Sequence, residues 1–123
     1  MTEEQTKEFL KNMISDPLYD QILALPKTDL HCHLDGGLRL ETIIELIQKQ
    51  GIAYPIDKDK IAQMVVKDDM MFQKEKSLVE YLKAFEITSS VMQEPDSLER
   101  IAFELCEDAA KENVRYLEIR FAP

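Results

Sequence analysis

The chain has 123 residues, of which 45% are hydrophobic, so its length and composition fit one globular domain. Its 24 acidic and 15 basic residues give a formal net charge of −9, which disfavours nucleic acid as a partner, because nucleic-acid binding needs a basic surface. The acidic N-terminus is unlike a signal peptide, and no apolar run is long enough to cross a membrane. The two cysteines, Cys32 and Cys106, are too few for a disulfide framework. We therefore expect a cytoplasmic protein with free thiols.

The first part of the chain combines helices with one short strand. The predicted elements up to residue 50 are helices at about 3–14, 17–24 and 40–50 and a strand at about 27–33. Asp16-Pro17 is a cap followed by a first-turn proline, which predicts the start of the second helix. The third helix has apolar residues at i, i+3, i+4 and i+7, and Gly51 is its expected C-terminal stop.

The second part is mostly helical and closes with a strand. The predicted elements are helices at about 57–66, 77–92 and 96–112, a loop at 67–76 and a strand at 114–121. Ser77 to Glu80 and Asp96 to Glu99 are capping signals that predict two of the helix starts, and Asn113 is a plausible left-handed stop. The residues expected to be buried on the last helix are Leu98, Ile101, Ala102, Leu105 and Ala109.

Both histidines of the chain lie in the tripeptide His31-Cys32-His33, at the end of the first predicted strand. Residues two apart on a strand share a face, so the two imidazoles can point at one position, with Asp35 next along that face. Two imidazoles near a carboxylate suit a divalent cation such as zinc. Cys32 is expected to face away and to pack. The alternative is a pair of ordinary, hydrogen-bonded polar side chains.

The spacing of the two strands is unusual. About 80 residues separate them, whereas a crossover between parallel strands needs only about a dozen. Glu118 and Arg120 lie on one face of the second strand, where buried charges need partners. We therefore expect an N-terminal piece of a larger β/α protein, with a small α+β fold containing an irregular third strand as the alternative. A structural ion pair is the expected role of Glu118 and Arg120, ahead of a role in the site.

Two stretches carry a family resemblance. Residues 25–42, LPKTDLHCHLDGGLRLET, and residues 114–123, VRYLEIRFAP, resemble the opening and the second-strand region of the adenosine deaminase family of metal-dependent amidohydrolases. The resemblance implies an α/β fold in which residues 1–123 form one partial domain, the N-terminal portion of a (β/α)8 barrel of about 250 residues or more. Residues 1–25 would be an N-terminal helical extension, and the long helical insert between the strands is a family feature.

The resemblance also implies roles for individual residues. His31 and His33 would be two zinc ligands, Asp35 would bind the ribose 5′-hydroxyl, and Gly36 would let the backbone approach the substrate. A hydrophobic helix that gates the pocket would be formed by Leu78, Tyr81, Leu82 and Phe85. Without the resemblance, that stripe would be plain core and Asp35 a turn residue.

The family chemistry is the hydrolytic deamination of adenosine or 2′-deoxyadenosine, with zinc activating water for attack at C6 of the purine. The acid glutamate and the remaining ligands would lie beyond Pro123, since the chain has no histidine after His33. The isolated chain is therefore expected to be inactive and to self-associate. The alternatives are another purine or nucleoside aminohydrolase, for which adenine is disfavoured by Asp35 in place of glutamate, and a non-catalytic metal-binding or interaction domain.

Overall fold

The computed structural model describes residues 8, 11–53, 57, 59–61 and 85–121. The named elements, in chain order, are helix α1 (Tyr19–Ala24), strand β1 (Lys27–His33), a 3-10 turn (Leu34–Gly36), helix α2 (Leu40–Gln50), helix α3 (Pro95–Lys111) and strand β2 (Val114–Arg120). Residues 11–14 and 85–90 are also helical. The predicted loop at 67–76, the capping box at Ser77, and most of the helices at 3–14 and 57–66 lie outside the described residues.

The sequence located β1 and α2 at their observed bounds, and the stop signals explain why the helices end where they do. Gly51 follows α2 with φ 66°, and Asn113 follows α3 with φ 59°. Both residues adopt the left-handed conformation that glycine and asparagine tolerate best. The second strand was predicted one residue too long, because β2 ends at Arg120 rather than Phe121.

Two predicted helix starts are wrong in detail. The side chain of Asp16 accepts a hydrogen bond from the Leu18 backbone N–H at 2.8 Å, and the backbone carbonyl of Asp16 accepts one from the Tyr19 N–H at 2.9 Å. A turn therefore precedes α1, which begins at Tyr19 rather than at Pro17. Helix α3 begins at Pro95 after Glu94, without a side-chain cap. The capping signal predicted at Asp96 to Glu99 fails because the helix has already begun at Pro95, which places Asp96 inside the first turn. The neighbouring Ser97 is buried, and its hydroxyl accepts a hydrogen bond from Gln50 at 2.9 Å.

The buried core lies between the helices and one face of the strands. Its apolar members are Leu34, Ile43, Leu46, Ile47, Ile61, Ile87, Val91, Ile101 and Leu105. On α3 the inward stripe is Ser97, Ile101 and Leu105, at i, i+4 and i+8. The expectation that Leu98 is buried is therefore wrong: it lies one position off the stripe and is 37% exposed. Ala102 and Ala109 are half-buried.

Charged side chains join α2 to α3. Arg39, the residue before α2, donates hydrogen bonds to Asp108 at 2.5 and 2.8 Å and also pairs with Glu107. Farther along, the buried Thr42 hydroxyl donates to Glu104 at 2.6 Å. These contacts fix the loop at residues 37–39, and with it the chain that leaves β1, against α3.

The strands β1 and β2 are parallel neighbours, so their carboxyl ends meet at one edge of the sheet. The ε-ammonium of Lys27 anchors the opposite end of β1 by donating to the carbonyls of Leu23, Leu25 and Glu112 at 3.2, 3.1 and 2.8 Å. The pairing register contains a bulge between Asp29 and Cys32. The bulge therefore includes His31, the first of the two histidines.

Candidate active site

The imidazoles of His31 and His33 converge at the carboxyl end of β1. Their Nε2 atoms are 3.0 Å apart, their ring centroids are 5.0 Å apart, and the ring planes are inclined by 37°. Two histidine nitrogens bound to one tetrahedral zinc ion at about 2.0–2.1 Å each are about 3.3–3.4 Å apart, which is slightly longer than the observed separation of 3.0 Å. The observed distance permits a hydrogen bond in which one neutral ring donates and the other accepts. The predicted juxtaposition is present, and its use as a metal site stays a prediction.

Asp29 holds the backbone of His31. Its Oδ1 accepts a hydrogen bond from the His31 backbone N–H at 3.0 Å, and Asp29 is among the residues that line the same cavity as the histidines. Sequence reasoning did not single out this residue. The available signal was an aspartate two positions before the first histidine, since aspartate commonly accepts from the N–H two residues ahead.

The carboxylate of Asp35 lies at the turn that follows His33. Its Oδ1 is buried and has no hydrogen-bond partner in the described part of the chain. The nearest basic atom, Nδ1 of His33, is 3.7 Å away, which is too long for a hydrogen bond. A buried acceptor left without a partner costs about 1–3 kcal/mol. The geometry therefore suits a ligand that donates a hydrogen bond, such as a hydroxyl group.

The two adjacent glycines play different steric parts. Among the described residues, a Cβ atom on Gly36 would meet Cβ of His33 at 3.8 Å and Cε1 of Phe85 at 3.9 Å, which are ordinary contacts. A Cβ atom on Gly37 would lie 2.5 Å from Cδ1 of the buried Leu105. Gly37, which sequence reasoning did not single out, is thus the glycine that packing requires. The reason proposed for Gly36, space for a ligand, remains a prediction.

These residues surround an open cavity of about 630 Å³. Its lining consists of Asp29, His31, Cys32, His33, Asp35, Gly36, Gly37 and Phe85. Of the four predicted gating residues, Phe85 reaches this cavity, and Leu78, Tyr81 and Leu82 lie outside the described residues. The structure thus brings the two histidines, Asp35, Gly36 and Phe85 together.

Three other residues from the sequence analysis have structural contacts. Cys32 packs against the core, and burial, followed by the negative charge of Asp29, raises the pKa of its thiol. Both cysteines are free. In the described part of the chain, Glu118 accepts a hydrogen bond from the Tyr116 hydroxyl at 3.0 Å, and Arg120 donates to the Leu30 carbonyl at 3.4 Å. Their expected role in an ion pair inside a complete barrel stays a prediction.

The donor set fits part of a metal centre. Within the described ranges, no group of three or more His, Cys, Asp or Glu side chains could hold a metal ion. A catalytic zinc site normally has three protein ligands and one open position. The two convergent imidazoles therefore fit as two ligands of a centre that needs at least one more.

In the part of the chain that the structure describes, no helix combines the length and apolar character needed to span a membrane.

A parallel β/α arrangement that presents polar side chains from the carboxyl end of its first strand is typical of β/α-barrel enzymes. Residues 26–123 match the family described as "Adenosine deaminase". The chain belongs to the adenosine deaminase family, and the predicted fold class, the N-terminal portion of a (β/α)8 barrel, is confirmed.

Curated relatives agree with this family. The chain is 53% identical over 106 residues to an adenosine deaminase from Clostridium perfringens (strain SM101 / Type A), covering 83% of this chain and 30% of the relative. It is 53% identical over 102 residues to an adenosine deaminase from Vibrio atlanticus (strain LGP32), covering 82% and 29%. The chain thus spans about 30% of the length of the curated relatives it matches.

Solved structures are similar in fold. The structure of an ADAL–IMP complex matches with a TM-score of 0.65 and 36% identity, over 85% of this chain and 29% of that one. The apo N6-methyl-AMP deaminase from Arabidopsis thaliana matches with a TM-score of 0.62 and 32% identity, over 85% and 28%. The similar solved structures are thus described with nucleotides, whereas the curated relatives are described as adenosine deaminases.

Proposed function

We propose that this chain supplies the first two strands of a zinc-dependent adenosine deaminase, which hydrolyses adenosine or 2′-deoxyadenosine to the inosine product and ammonia. The observation that carries the proposal is the convergence of His31 and His33, whose Nε2 atoms are 3.0 Å apart at the carboxyl end of β1. Membership of the adenosine deaminase family supports the choice of reaction.

In this proposal each cavity residue has a separate task. His31 and His33 would hold zinc, and the chemistry that a bound zinc ion would supply is the activation of water for attack on the purine. Asp35 accepts a hydrogen bond from the ribose 5′-hydroxyl through its unpartnered oxygen. The open side of Gly36 lets substrate approach the backbone, and Phe85 with Leu78, Tyr81 and Leu82 covers the pocket and excludes water.

The 123-residue chain alone is proposed to be inactive and to bind zinc weakly. Two imidazoles are fewer than the three protein ligands of a catalytic zinc site. The general acid and the remaining ligands belong to the part of the fold that this chain does not span. The family match begins at residue 26, which supports the division into a helical extension at 1–25 and a barrel segment thereafter.

The second candidate is a deaminase acting on a purine nucleotide. It is favoured by the similarity to structures described with IMP and with GMP. The carboxylate of Asp35 argues against it, because a phosphate group carries about −1.5 to −2 charges at neutral pH and would be repelled by a carboxylate at the same end of the cavity. The nucleoside is therefore the proposed substrate.

Some properties of the isolated chain follow from its surface. Apolar side chains along the strands stay exposed, including Leu30 at 57%, Tyr116 at 54% and Phe121 at 64%. Exposed apolar groups beside unpaired strand edges promote association, so self-association of the isolated chain is proposed. A cytoplasmic location, a role in purine metabolism and the absence of a nucleic-acid partner complete the proposal.

The proposed reaction is tested with the complete natural polypeptide that contains this sequence. Purified protein should release ammonia from adenosine, and His33→Ala should abolish the release while Cys106→Ala, which changes an exposed thiol on α3, keeps it. The reaction assignment is wrong if the wild-type polypeptide turns over neither adenosine nor 2′-deoxyadenosine. Faster turnover of AMP than of adenosine would instead support the nucleotide candidate.

A further inference from the structure

The bulge in β1 places one extra residue beside the candidate metal ligands. Asp29 pairs with Leu117, and Cys32 pairs with Ile119, so Leu30 and His31 share the single position opposite Glu118. A bulge leaves one residue without its ladder partner and turns the local backbone. The direction of the His31 imidazole therefore depends on how this irregular backbone is held.

Side chains hold both residues of the bulge. The backbone N–H of His31 donates to Oδ1 of Asp29 at 3.0 Å, and the carbonyl of Leu30 accepts from Nη2 of Arg120 at 3.4 Å. The Asp29 contact is the shorter of the two and acts directly on a histidine. Asp29 is also one of the residues that line the cavity with the two histidines.

We infer that Asp29 is a positioning residue, which holds the bulged backbone so that the imidazole of His31 meets that of His33. The inference rests on the proposed function of the two histidines as ligands of one metal ion. Asp29 acts through a hydrogen-bond acceptor and not through its charge, because its contact is to a neutral backbone N–H. Asparagine keeps this acceptor, so Asp29→Asn should preserve the position of the His31 imidazole. Alanine removes the acceptor, so Asp29→Ala should not preserve it.

The test compares Asp29→Ala, Asp29→Asn and a matched control in the complete natural polypeptide. The control is Asp16→Ala, because Asp16 also accepts from the N–H two residues ahead, at 2.8 Å, on an exposed turn that does not line this cavity. Zinc affinity is measured by competition with a chromophoric chelator. Loss of a group that orients a metal ligand typically weakens metal binding 10–100-fold. We expect about a tenfold loss for Asp29→Ala, less than about threefold for Asp29→Asn, and no change for Asp16→Ala.

A second readout is independent of the metal. In the metal-free protein, NMR should show a cross-relaxation signal between the His31 and His33 rings in the wild type and in Asp29→Asn, and a weaker signal in Asp29→Ala. The His31 amide should exchange with solvent faster in Asp29→Ala alone. A wild type that binds no zinc refutes the proposed function, and the ring signals still decide the role of Asp29.

Two results would overturn the inference. One is wild-type zinc affinity and an unchanged ring signal in Asp29→Ala. The other is an equal loss of zinc affinity in Asp29→Asn and Asp29→Ala, because the carboxylate charge and not the hydrogen-bond acceptor would then be required.

Discussion

Replacing Gly37 with alanine adds one methyl group to the turn that leads out of the candidate site. That Cβ would lie 2.5 Å from Cδ1 of Leu105 and 3.6 Å from its Cγ and Cδ2. Carbon atoms pack at about 3.5–4.0 Å, so the overlap with Cδ1 is about 1.0–1.5 Å. Leu105 is only 9% exposed and cannot move aside freely. Such overpacking typically costs about 1–3 kcal/mol of unfolding free energy.

The backbone itself would accept alanine at this position, since Gly37 has φ −106° and ψ 13°. The loss must then come from the contact with Leu105, which a double-mutant cycle can isolate. In a Leu105→Ala background, Gly37→Ala should leave the free energy of unfolding unchanged or raise it slightly. The slight rise is possible because alanine restricts the unfolded chain more than glycine does.

Urea denaturation followed by circular dichroism measures these free energies of unfolding. Gly36→Ala is the control, because the contacts that its added Cβ makes with described residues are 3.8 Å or longer. Gly36→Ala should leave stability nearly unchanged. Equal losses for the two glycine variants, or a Gly37→Ala loss that persists without the Leu105 side chain, would refute the packing argument.

Two further predictions concern charge. Asp35→Asn should lower kcat/KM for adenosine about tenfold, because it weakens a charge-assisted hydrogen bond. It should also lower the ratio of kcat/KM for adenosine to kcat/KM for AMP. An unchanged ratio would contradict the role of Asp35. The hydrogen bond from Arg39 lowers the pKa of Asp108 from 3.8 to about 2, so its stabilisation is present above about pH 4 and is lost as the pH falls toward 2. Acid titration followed by circular dichroism should therefore show a shallower stability loss in Asp108→Asn over this pH range, and the reasoning fails if the acid dependence of wild type and variant coincide.

The parts of the fold that the sequence predicted well depend on local patterns. Helix α2 has a strong apolar period and ends at Gly51, whose left-handed conformation is a property of the residue itself. Strand β1 is bounded by Pro26 and the turn at Leu34–Gly36, and its two-residue period placed the imidazoles on one side. Such signals need no knowledge of distant parts of the chain.

The parts that the sequence missed depend on contacts between distant segments. The bulge at His31 arises from pairing with β2, and the requirement for Gly37 arises from Leu105 on α3. On α3, Ser97 is buried and accepts a hydrogen bond from Gln50 on α2, whereas the next residue, Leu98, is exposed. Asp29 had a local signal, because aspartate commonly accepts from the N–H two residues ahead, but the bulge at which this contact lies arises from pairing with β2.

The central claim is that His31 and His33 bind the same metal ion. Zinc content per polypeptide and zinc X-ray absorption spectra, measured on the complete natural protein and on the His31→Ala/His33→Ala double variant, test it most directly. The claim predicts one zinc with at least two imidazole ligands in the wild type and a large loss of zinc in the double variant. A double variant that retains one equivalent of zinc with an unchanged spectrum would contradict it.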